Sequence, residues 1–264
     1  MADEPLNGKT ALVTGASSGI GEATAHALAR DGARVALAAR REQALDDVAA
    51  KVESEWDAET LVVPTDVRDE ESVAETIETT VAEFDQLDVL VNNAGLVRGE
   101  SVEEMTTDQY ATMMETNVDG VFYATREAIP HLRETGGNLV FVGSFAGQYP
   151  RPFNPVYAAS KWWVRGFAHS VEASEAQRAS ERERDAEQPA SSVGEDVVAV
   201  TVVNPSEVRT DFGSVYGESF AERFEEGEVT EPEEVAEAIA FAAGQEKSTV
   251  SELDLYRRDK FSGF

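Results

Sequence analysis

The chain has 264 residues, and its 51 acidic residues outnumber its 22 lysines and arginines, giving a formal net charge of -29 at pH 7. Such a field repels nucleic-acid phosphates and anionic membranes, so we expect neither as a partner. The absence of cysteine excludes a disulfide scaffold, a thiolate metal site and a cysteine nucleophile. With only three histidines in the chain, we expect no metal site.

The length suits one α/β domain, and no linker or internal repeat divides the chain, so residues 1–264 are predicted to form a single domain. Hydrophobic residues make up 42% of the sequence, which is enough for a folded core. No apolar run has the length of a bilayer span, and the first residues lack the pattern of a secretory signal. We therefore expect a cytoplasmic protein.

Short apolar runs alternate with helical patterns along the chain. The apolar runs predict strands over Lys9–Thr14, Arg34–Ala39, Leu61–Pro64, Asp88–Asn92, Gly137–Val142, Val197–Val203 and Ser251–Tyr256. The patterns between them predict helices that end at Arg30 or cover Glu42–Glu55, Glu70–Phe84, Thr107–Met114, Val118–Arg133, a stretch from Asn154 onward, and Glu231–Ala243. Uniformly apolar strands are typical of a sheet covered on both faces. The alternation therefore predicts an α/β fold with a doubly wound parallel sheet of about seven strands.

One segment departs from this alternation. Residues 172–196 are highly charged, contain few apolar side chains and end in a stretch rich in proline, serine and glycine. We interpret them as an insertion made of a solvated helix extension and a loop, with a partner-binding arm as the alternative.

A glycine-rich loop follows the first predicted strand. Glycines at positions 15, 19 and 21 permit a tight turn and a close approach of the backbone to a diphosphate. The next helix begins there and offers free N–H groups and the positive end of its dipole. The loop therefore predicts a dinucleotide site that includes Gly15, Ser17, Ser18, Gly19, Ile20 and Gly21.

Tyr157 and Lys161 are four residues apart near the start of a predicted helix, so their side chains lie on one face. An unperturbed phenol, with a pKa of about 10, is a poor acid or base at neutral pH. We expect the nearby ammonium group to lower that pKa and allow proton exchange with a carbonyl or alcohol oxygen.

These motifs, in this order, resemble the short-chain dehydrogenase/reductase family, in its single-domain branch. The match includes Thr14 to Gly21, the Asn92-Asn93-Ala94-Gly95 motif after the fourth strand, and Tyr157 with Lys161. It extends from about Gly8 to Tyr256. The resemblance implies a Rossmann-type NAD(P)-binding fold.

The resemblance also implies residue roles. Asn117, Ser144, Tyr157 and Lys161 match the family's catalytic tetrad, in which the asparagine holds a water and the lysine also contacts the nicotinamide ribose. The remaining matches concern the cofactor: Asp66 and Val67 at the adenine, Asn93, Ala94 and Gly95 along the crevice, and Val208 and Thr210 at the nicotinamide carboxamide.

Charge at the end of the second strand bears on the choice of cofactor. Enzymes that prefer NAD usually carry an acidic residue there to bind the ribose hydroxyls. Here Ala39 is followed by Arg40 and Arg41, which leaves space for a 2′-phosphate and supplies guanidinium groups to bind it. We therefore expect NADP(H) to be favoured over NAD(H).

Two places depart from the family pattern. Ser206 follows Pro205 where relatives have glycine, which places the local backbone conformation in question because serine adopts positive φ less readily. The tail, Glu252 to Tyr256, replaces a glycine-pair motif. Arg98 and Arg151 are candidates for attracting an anionic substrate.

The leading interpretation is an NADP(H)-dependent oxidoreductase that interconverts a carbonyl and a secondary alcohol, with Tyr157 as acid and base. Two alternatives stay open: a dinucleotide-binding sensor or regulator without turnover, and an epimerase or dehydratase that uses the same Tyr–Lys pair. We expect a small-molecule carbonyl or alcohol substrate and a homo-oligomer, either a dimer or a tetramer.

The composition also resembles that of proteins from cytoplasms kept at molar salt, because only five of the 22 basic residues are lysines. We predict that stability and activity rise steeply with KCl, since at about 1 M salt the Debye length falls to roughly 3 Å and repulsion among the carboxylates is screened. Thermal unfolding between about 0.1 and 3 M KCl tests this prediction. A constant midpoint, with full activity at low salt, would contradict it.

Overall fold

The computed structural model describes residues 4–97, 101–185, 197–213 and 219–260. Within these ranges, seven parallel strands form one sheet in the order β3-β2-β1-β4-β5-β6-β7. The strands are β1 (Thr10–Thr14), β2 (Arg34–Ala39), β3 (Thr60–Pro64), β4 (Val89–Asn92), β5 (Asn138–Val142), β6 (Ala199–Pro205) and β7 (Glu252–Leu255). This order confirms the predicted doubly wound, Rossmann-type sheet.

The described helices are α1 (Gly19–Arg30), α2 (Glu42–Trp56), α3 (Glu70–Phe84), α4 (Thr107–Met114), α5 (Gly120–Thr135), α6 (Pro155–Asp185), α7 (Phe220–Arg223) and α8 (Pro232–Ala243). Apolar side chains of α1, α2 and α8 pack in one core on one face of the sheet. Those of α3, α5 and α6 pack in a second core on the other face. The sheet is therefore covered on both sides, as its apolar strands require.

Strand β1 shows how the sequence produces two cores. All five of its residues are buried. Ala11 and Val13 belong to the first core, whereas Leu12 belongs to the second. Successive side chains of a strand point to opposite faces, so each face needs its own apolar residues.

The predicted strands agree with the observed ones to within two residues at each end, but the middle of the chain differs. Helices α4 and α5 are joined by a π-helical turn at Glu115–Asp119, where the sequence pattern suggested a break. Two short elements were not predicted: α7, and a 3-10 turn at Phe145–Gly147 directly after β5. Both lie at the carboxyl edge of the sheet.

The predicted insertion begins inside α6. This helix is 31 residues long and continues through residues 172–185, so the first part of the insertion extends it. Residues 186–196 lie outside the described ranges. Within those ranges, no helix combines the length and the apolar character needed to cross a lipid bilayer.

The strand order places a crevice where the chain changes direction. From β1 the sheet continues to β2 and β3 on one side and to β4, β5, β6 and β7 on the other. The loops after β1 and β4 therefore diverge at the carboxyl edge, which is where ligands bind in such sheets.

Candidate functional site

The turn from β1 into α1, which contains the glycine loop, is packed too tightly to accept a side chain at Gly15 or Gly21. Gly15 has a φ of +69°, and a Cβ at that position would lie 2.9 Å from the Ala94 Cα. A Cβ at Gly21 would lie 2.2 Å from the carbonyl oxygen of Gly15. Both contacts are closer than real Cβ atoms show, so the chain needs glycine at these positions.

A set of hydrogen bonds joins this loop to the end of β4, and we call it the β1–β4 clamp. The hydroxyl of Thr14 accepts the backbone N–H groups of Asn93 (3.0 Å) and Ala94 (3.1 Å) and donates to the Val91 carbonyl (3.2 Å). The Asn93 side-chain amide donates to the carbonyls of Thr14 (2.8 Å) and Gly15 (3.2 Å). Asn93 was predicted as a cofactor contact, and the structure gives it this additional role.

The end of β2 contributes two exposed arginines beside the loop. The Nη2 atom of Arg41 lies 3.0 Å from the hydroxyl oxygens of both Ser17 and Ser18. Arg40 lines the same cavity, and its charge helps to lower the pKa of Asp66. Guanidinium and hydroxyl groups thus meet at one point of the loop, next to the small side chain of Ala39.

Asp66, predicted at the adenine, is held by a neighbour. The Arg68 Nε donates to its carboxylate at 2.9 Å, and the Arg68 backbone N–H donates at 3.1 Å. The hydrogen bond from the Arg68 side chain is the main cause of the lowered Asp66 pKa. The carboxylate is therefore ionised and fixed at the wall of the cavity.

Ser144, Tyr157 and Lys161 lie together beyond the end of β5. Ser144 precedes the 3-10 turn, where its hydroxyl accepts the Ala146 N–H at 3.1 Å and hydrogen-bonds with Tyr157. Lys161 is almost fully buried, and its Nζ donates to the Val142 carbonyl at 2.9 Å. All three predicted residues line the cavity into which the glycine loop opens.

The electrostatics of this group differ from our expectation. Burial raises the pKa of the Tyr157 hydroxyl, while hydrogen bonding to Ser144 and the charge of Arg151 lower it by smaller amounts. Burial also lowers the pKa of Lys161 to about 8. The predicted lowering of the Tyr157 pKa by Lys161 is therefore wrong for this structure, because desolvation outweighs the other effects on the phenol. The phenol is protonated at neutral pH.

The π-helical turn between α4 and α5 presents Asn117. Its Oδ1 accepts the Leu96 N–H at 2.8 Å, and its Nδ2 donates to the Leu96 carbonyl at 2.9 Å and to the Ser160 hydroxyl at 3.1 Å. These bonds tie the segment after β4 to helix α6, close to Gly95 and Lys161. Turns of this kind often occur at functional sites.

The sequence patterns did not predict the buried amide side chain that lies behind Ser144. Asn204, at the end of β6, accepts the Ser144 N–H at 3.3 Å. Its Nδ2 donates to Glu252 (2.6 Å) and Asp254 (3.0 Å) on β7. A hydrogen bond from Arg165 is the main cause that lowers the Glu252 pKa to about 2. The unusual tail therefore supports Ser144 through Asn204.

The loop after β6 resolves the question raised by Ser206. Its φ is not positive, since Asp57 and Asp85 are the only described residues other than glycine with that conformation. The Ser206 N–H donates to the Leu255 carbonyl at 2.9 Å, whereas its buried hydroxyl has no hydrogen-bond partner among the described residues. Serine therefore fits this turn without backbone strain.

These elements surround a cavity of about 700 Å³. Of the predicted site residues, all but Gly21 and Asn117 line it; the lining set is Gly15, Ser17, Ser18, Gly19, Ile20, Arg40, Arg41, Asp66, Val67, Asn93, Ala94, Gly95, Ser144, Tyr157, Lys161, Val208 and Thr210. Arg151 also lines it, and Arg98 lies outside the described ranges. The described residues contain no cluster of side chains suited to a metal ion.

A family model described as short chain dehydrogenase matches residues 9–179. The chain belongs to the short-chain dehydrogenase family. It is 32% identical over 252 residues to an NADP-dependent 3-hydroxy acid dehydrogenase of Schizosaccharomyces pombe, which covers 93% of this chain and 90% of that protein.

Solved structures share the fold over nearly all of the chain. An alcohol dehydrogenase from Thermococcus sibiricus, complexed with 5-hydroxy-NADP, has a TM-score of 0.81 and 28% identity, covering 97% of this chain and 99% of that one. A 3-ketoacyl-(acyl-carrier-protein) reductase from Brucella melitensis, complexed with NADH, has a TM-score of 0.79 and 27% identity, covering 95% and 98%. The protein is therefore an oxidoreductase of this family that uses an NAD(P) cofactor.

The cavity of this short-chain dehydrogenase fits such a cofactor. The glycine loop leaves space that a single Cβ would fill, and α1 begins there with its free N–H groups. The arginines after β2 lie on one side of the loop, and Tyr157 lies beyond β5. One cavity can thus hold the phosphates and bring the nicotinamide to the phenol.

Proposed function

We propose that the protein is an NADP(H)-dependent oxidoreductase that interconverts a carbonyl and a secondary alcohol, with Tyr157 as acid and base. The observation that carries this proposal is that Ser144, Tyr157 and Lys161 line the same cavity as the glycine loop. The fission-yeast relative is a 3-hydroxy acid dehydrogenase and the Thermococcus relative is an alcohol dehydrogenase, and both support the same reaction class.

The cofactor would be held along the carboxyl edge of the sheet. The loop from Gly15 to Gly21 would take the diphosphate, Asp66 and Val67 the adenine, and Val208 and Thr210 the carboxamide. When bound, NADPH supplies the hydride for reduction of the carbonyl carbon. The chain's own residues bind and orient the reactants and move the proton.

Tyr157 has the protonation state that reduction needs. Burial keeps its pKa high, so the hydroxyl carries a proton that it can give to the carbonyl oxygen. Ser144 hydrogen-bonds with Tyr157 and would orient the same oxygen, because the 3-10 turn and Asn204 fix its backbone. In the reverse direction, the phenolate would accept the proton of the alcohol.

Lys161 and Asn117 would support the cofactor and resupply the proton. The Nζ of Lys161 faces the backbone of Gly95, where it can reach the ribose hydroxyls. Because its pKa is lowered to about 8, Lys161 can exchange a proton in the neutral range more readily than an ordinary lysine. Asn117 would hold the water through which that exchange reaches solvent.

Three wider properties also remain proposals. We infer that residues 1–264 form one domain, that the protein is cytoplasmic, and that it assembles as a homo-oligomer. The last inference is supported by apolar side chains at the surface of α5 and α6, where Phe122 is 40% exposed and Trp162 is 47% exposed. The rise of stability and activity with KCl, expected from the sequence, is a further proposal.

The preference for NADP(H) would come from Arg40 and Arg41. We predict that NADPH is used roughly tenfold or more better than NADH in kcat/KM, because NADH lacks the phosphate that these guanidinium groups would bind. Introducing Asp at position 39 together with Arg40→Ala should reverse the preference. Arg41→Ala alone should weaken it, since Arg41 contacts Ser17 and Ser18.

Initial rates with both cofactors at fixed ionic strength measure this preference. Arg126→Ala serves as a control, because Arg126 is exposed on α5 and pairs with Glu70 and Glu127, away from the cavity. Equal kcat/KM with both cofactors in the unmodified enzyme would contradict the proposed preference for NADP(H).

The role of Tyr157 is tested by removing its hydroxyl. We predict that Tyr157→Phe abolishes turnover but leaves NADPH affinity nearly intact, because only the proton-transfer oxygen is lost. Lys161→Ala should reduce both the turnover and the NADPH affinity. In the unmodified enzyme, the raised Tyr157 pKa should keep carbonyl reduction constant through neutral pH and let it fall only in the alkaline range, while alcohol oxidation rises there.

Steady-state rates with a panel of ketones measure turnover, and fluorescence titration with NADPH measures the affinity for the cofactor. Tyr110→Phe on α4 is the matched control, since Tyr110 is 48% exposed and does not line the cavity. If Tyr157→Phe retained most of the activity, another residue would be the acid.

A further inference from the structure

A second cavity, of about 770 Å³, adjoins the one that holds Tyr157. The two cavities share a boundary formed by Arg151, Asn154, Glu207, Phe220 and Arg223, which line both. A molecule whose reactive carbon lies at Tyr157 can therefore extend its remaining atoms into the second cavity. We call this second cavity the substrate arm.

The charge of the substrate arm is opposite to that of the whole chain. Three arginines line it, Arg151, Arg223 and Arg257, against the single carboxylate of Glu207. In a chain with a net charge of -29, a wall with this excess of arginine is a local reversal of sign. Such a wall attracts an anionic ligand that the rest of the surface repels.

The single carboxylate that lines the substrate arm already forms an ion pair with a lysine. Lys260 donates to Glu207 at 2.6 Å, and burial, which would raise the Glu207 pKa, is outweighed by this bond and by the charges nearby, so the pKa is lowered. Arg151 lies 4.0 Å from Glu207, at the outer limit of an ion pair. Glu207 is thus largely neutralised by Lys260 and leaves most of the Arg151 charge available.

The other two arginines differ in their partners. Arg257 is engaged by Asp259 at 2.9 Å. Arg223 is exposed and lies 5.6 Å from the Phe224 ring centroid, and no carboxylate in the described part of the chain pairs with it. Arg151 and Arg223 are therefore the two cations that remain available to a ligand.

Aromatic side chains form much of the remaining wall of the substrate arm. Phe145, Phe220 and Phe224 line it, and the Arg151 guanidinium lies 5.5 Å from the Phe145 ring centroid. These rings provide an apolar surface for the body of a substrate, and they keep the guanidinium group partly away from water. The arm thus combines an apolar wall with an anion-binding end.

Arg151 also acts on the proposed acid. Its positive charge lowers the pKa of Tyr157, which places the guanidinium group within electrostatic reach of the phenol. Arg151 and Tyr157 also line the same cavity, so one bound molecule can contact both.

We propose that Arg151 and Arg223 bind the carboxylate of the substrate, so that the enzyme acts on oxo acids and hydroxy acids with an apolar body. This inference rests on the proposed function. A monoanion fits better than a phosphate dianion, because the carboxylate of Asp211 also lines the adjoining cavity. In the reaction, the carbonyl carbon gains hydride and its oxygen gains the Tyr157 proton, while NADPH becomes NADP⁺ and the carboxylate is unchanged.

The test compares each acid with its neutral ester. The probes are benzoylformate and 4-acetylbenzoate with their methyl esters, reduced by NADPH at fixed high ionic strength. The variants are Arg151→Gln and Arg223→Gln. Arg126→Gln is the control, since it makes the same charge change on a distant surface.

We expect each of the two variants to lower kcat/KM for at least one of the acids by about 10- to 100-fold through KM, while the esters change by less than about twofold. Arg126→Gln should leave the ratio of acid to ester unchanged. If the esters are reduced but neither variant changes that ratio, the carboxylate site is refuted and the proposed function stands. A rise in the KM for NADPH, equal for acids and esters, would instead assign Arg223 to the cofactor and overturn its role here. If the unmodified enzyme reduces members of the ketone panel but none of these four, this inference is overturned; if it reduces no ketone at all, the proposed function fails and this inference fails with it.

Discussion

The β1–β4 clamp is the constraint on which the whole site depends. Strands β1 and β4 are neighbours in the sheet, but their loops separate at the carboxyl edge. The backbone N–H groups of Gly15 and Ala16 join the glycine loop to the Ala38 carbonyl of β2, whereas its link to the loop after β4 comes from side chains. The Thr14 hydroxyl, which accepts two backbone N–H groups from the other loop, provides that link. Without that hydroxyl the Ala94 N–H would lose its acceptor, and because an N–H group left unpaired away from water costs about 1–3 kcal/mol, the bond stabilises the joined arrangement of the two loops.

At the other end of the cavity, the buried side-chain amide of Asn204 joins neighbouring segments in a similar way. Asn204 holds the Ser144 backbone and is itself held by Glu252 and Asp254 on the last strand. Both ends of the site thus depend on contacts between neighbouring strands, made by the buried side chains of Thr14 and Asn204.

Much of the fold and site could be predicted from the sequence because the signals are local. The glycine loop, the Tyr157–Lys161 spacing and the apolar strands each occupy a few consecutive residues. The partners of Asn204, by contrast, lie 48 and 50 residues away and depend on the register of β6 and β7. The high Tyr157 pKa depends on burial, which no spacing reveals. Arg223 belongs to a short helix without a motif, so only the folded chain brings it next to Arg151.

The measurement that tests this account most directly is the NADPH dissociation constant of two variants of β1, measured by fluorescence titration. Thr14→Val removes the hydroxyl of the clamp with little change of volume, and Thr10→Val removes a buried hydroxyl that has no hydrogen-bond partner among the described residues. If the clamp shapes the phosphate site, Thr14→Val should raise the dissociation constant by roughly tenfold or more, with a native circular dichroism spectrum, while Thr10→Val stays close to the unmodified protein. Equal affinity in both variants would contradict the account.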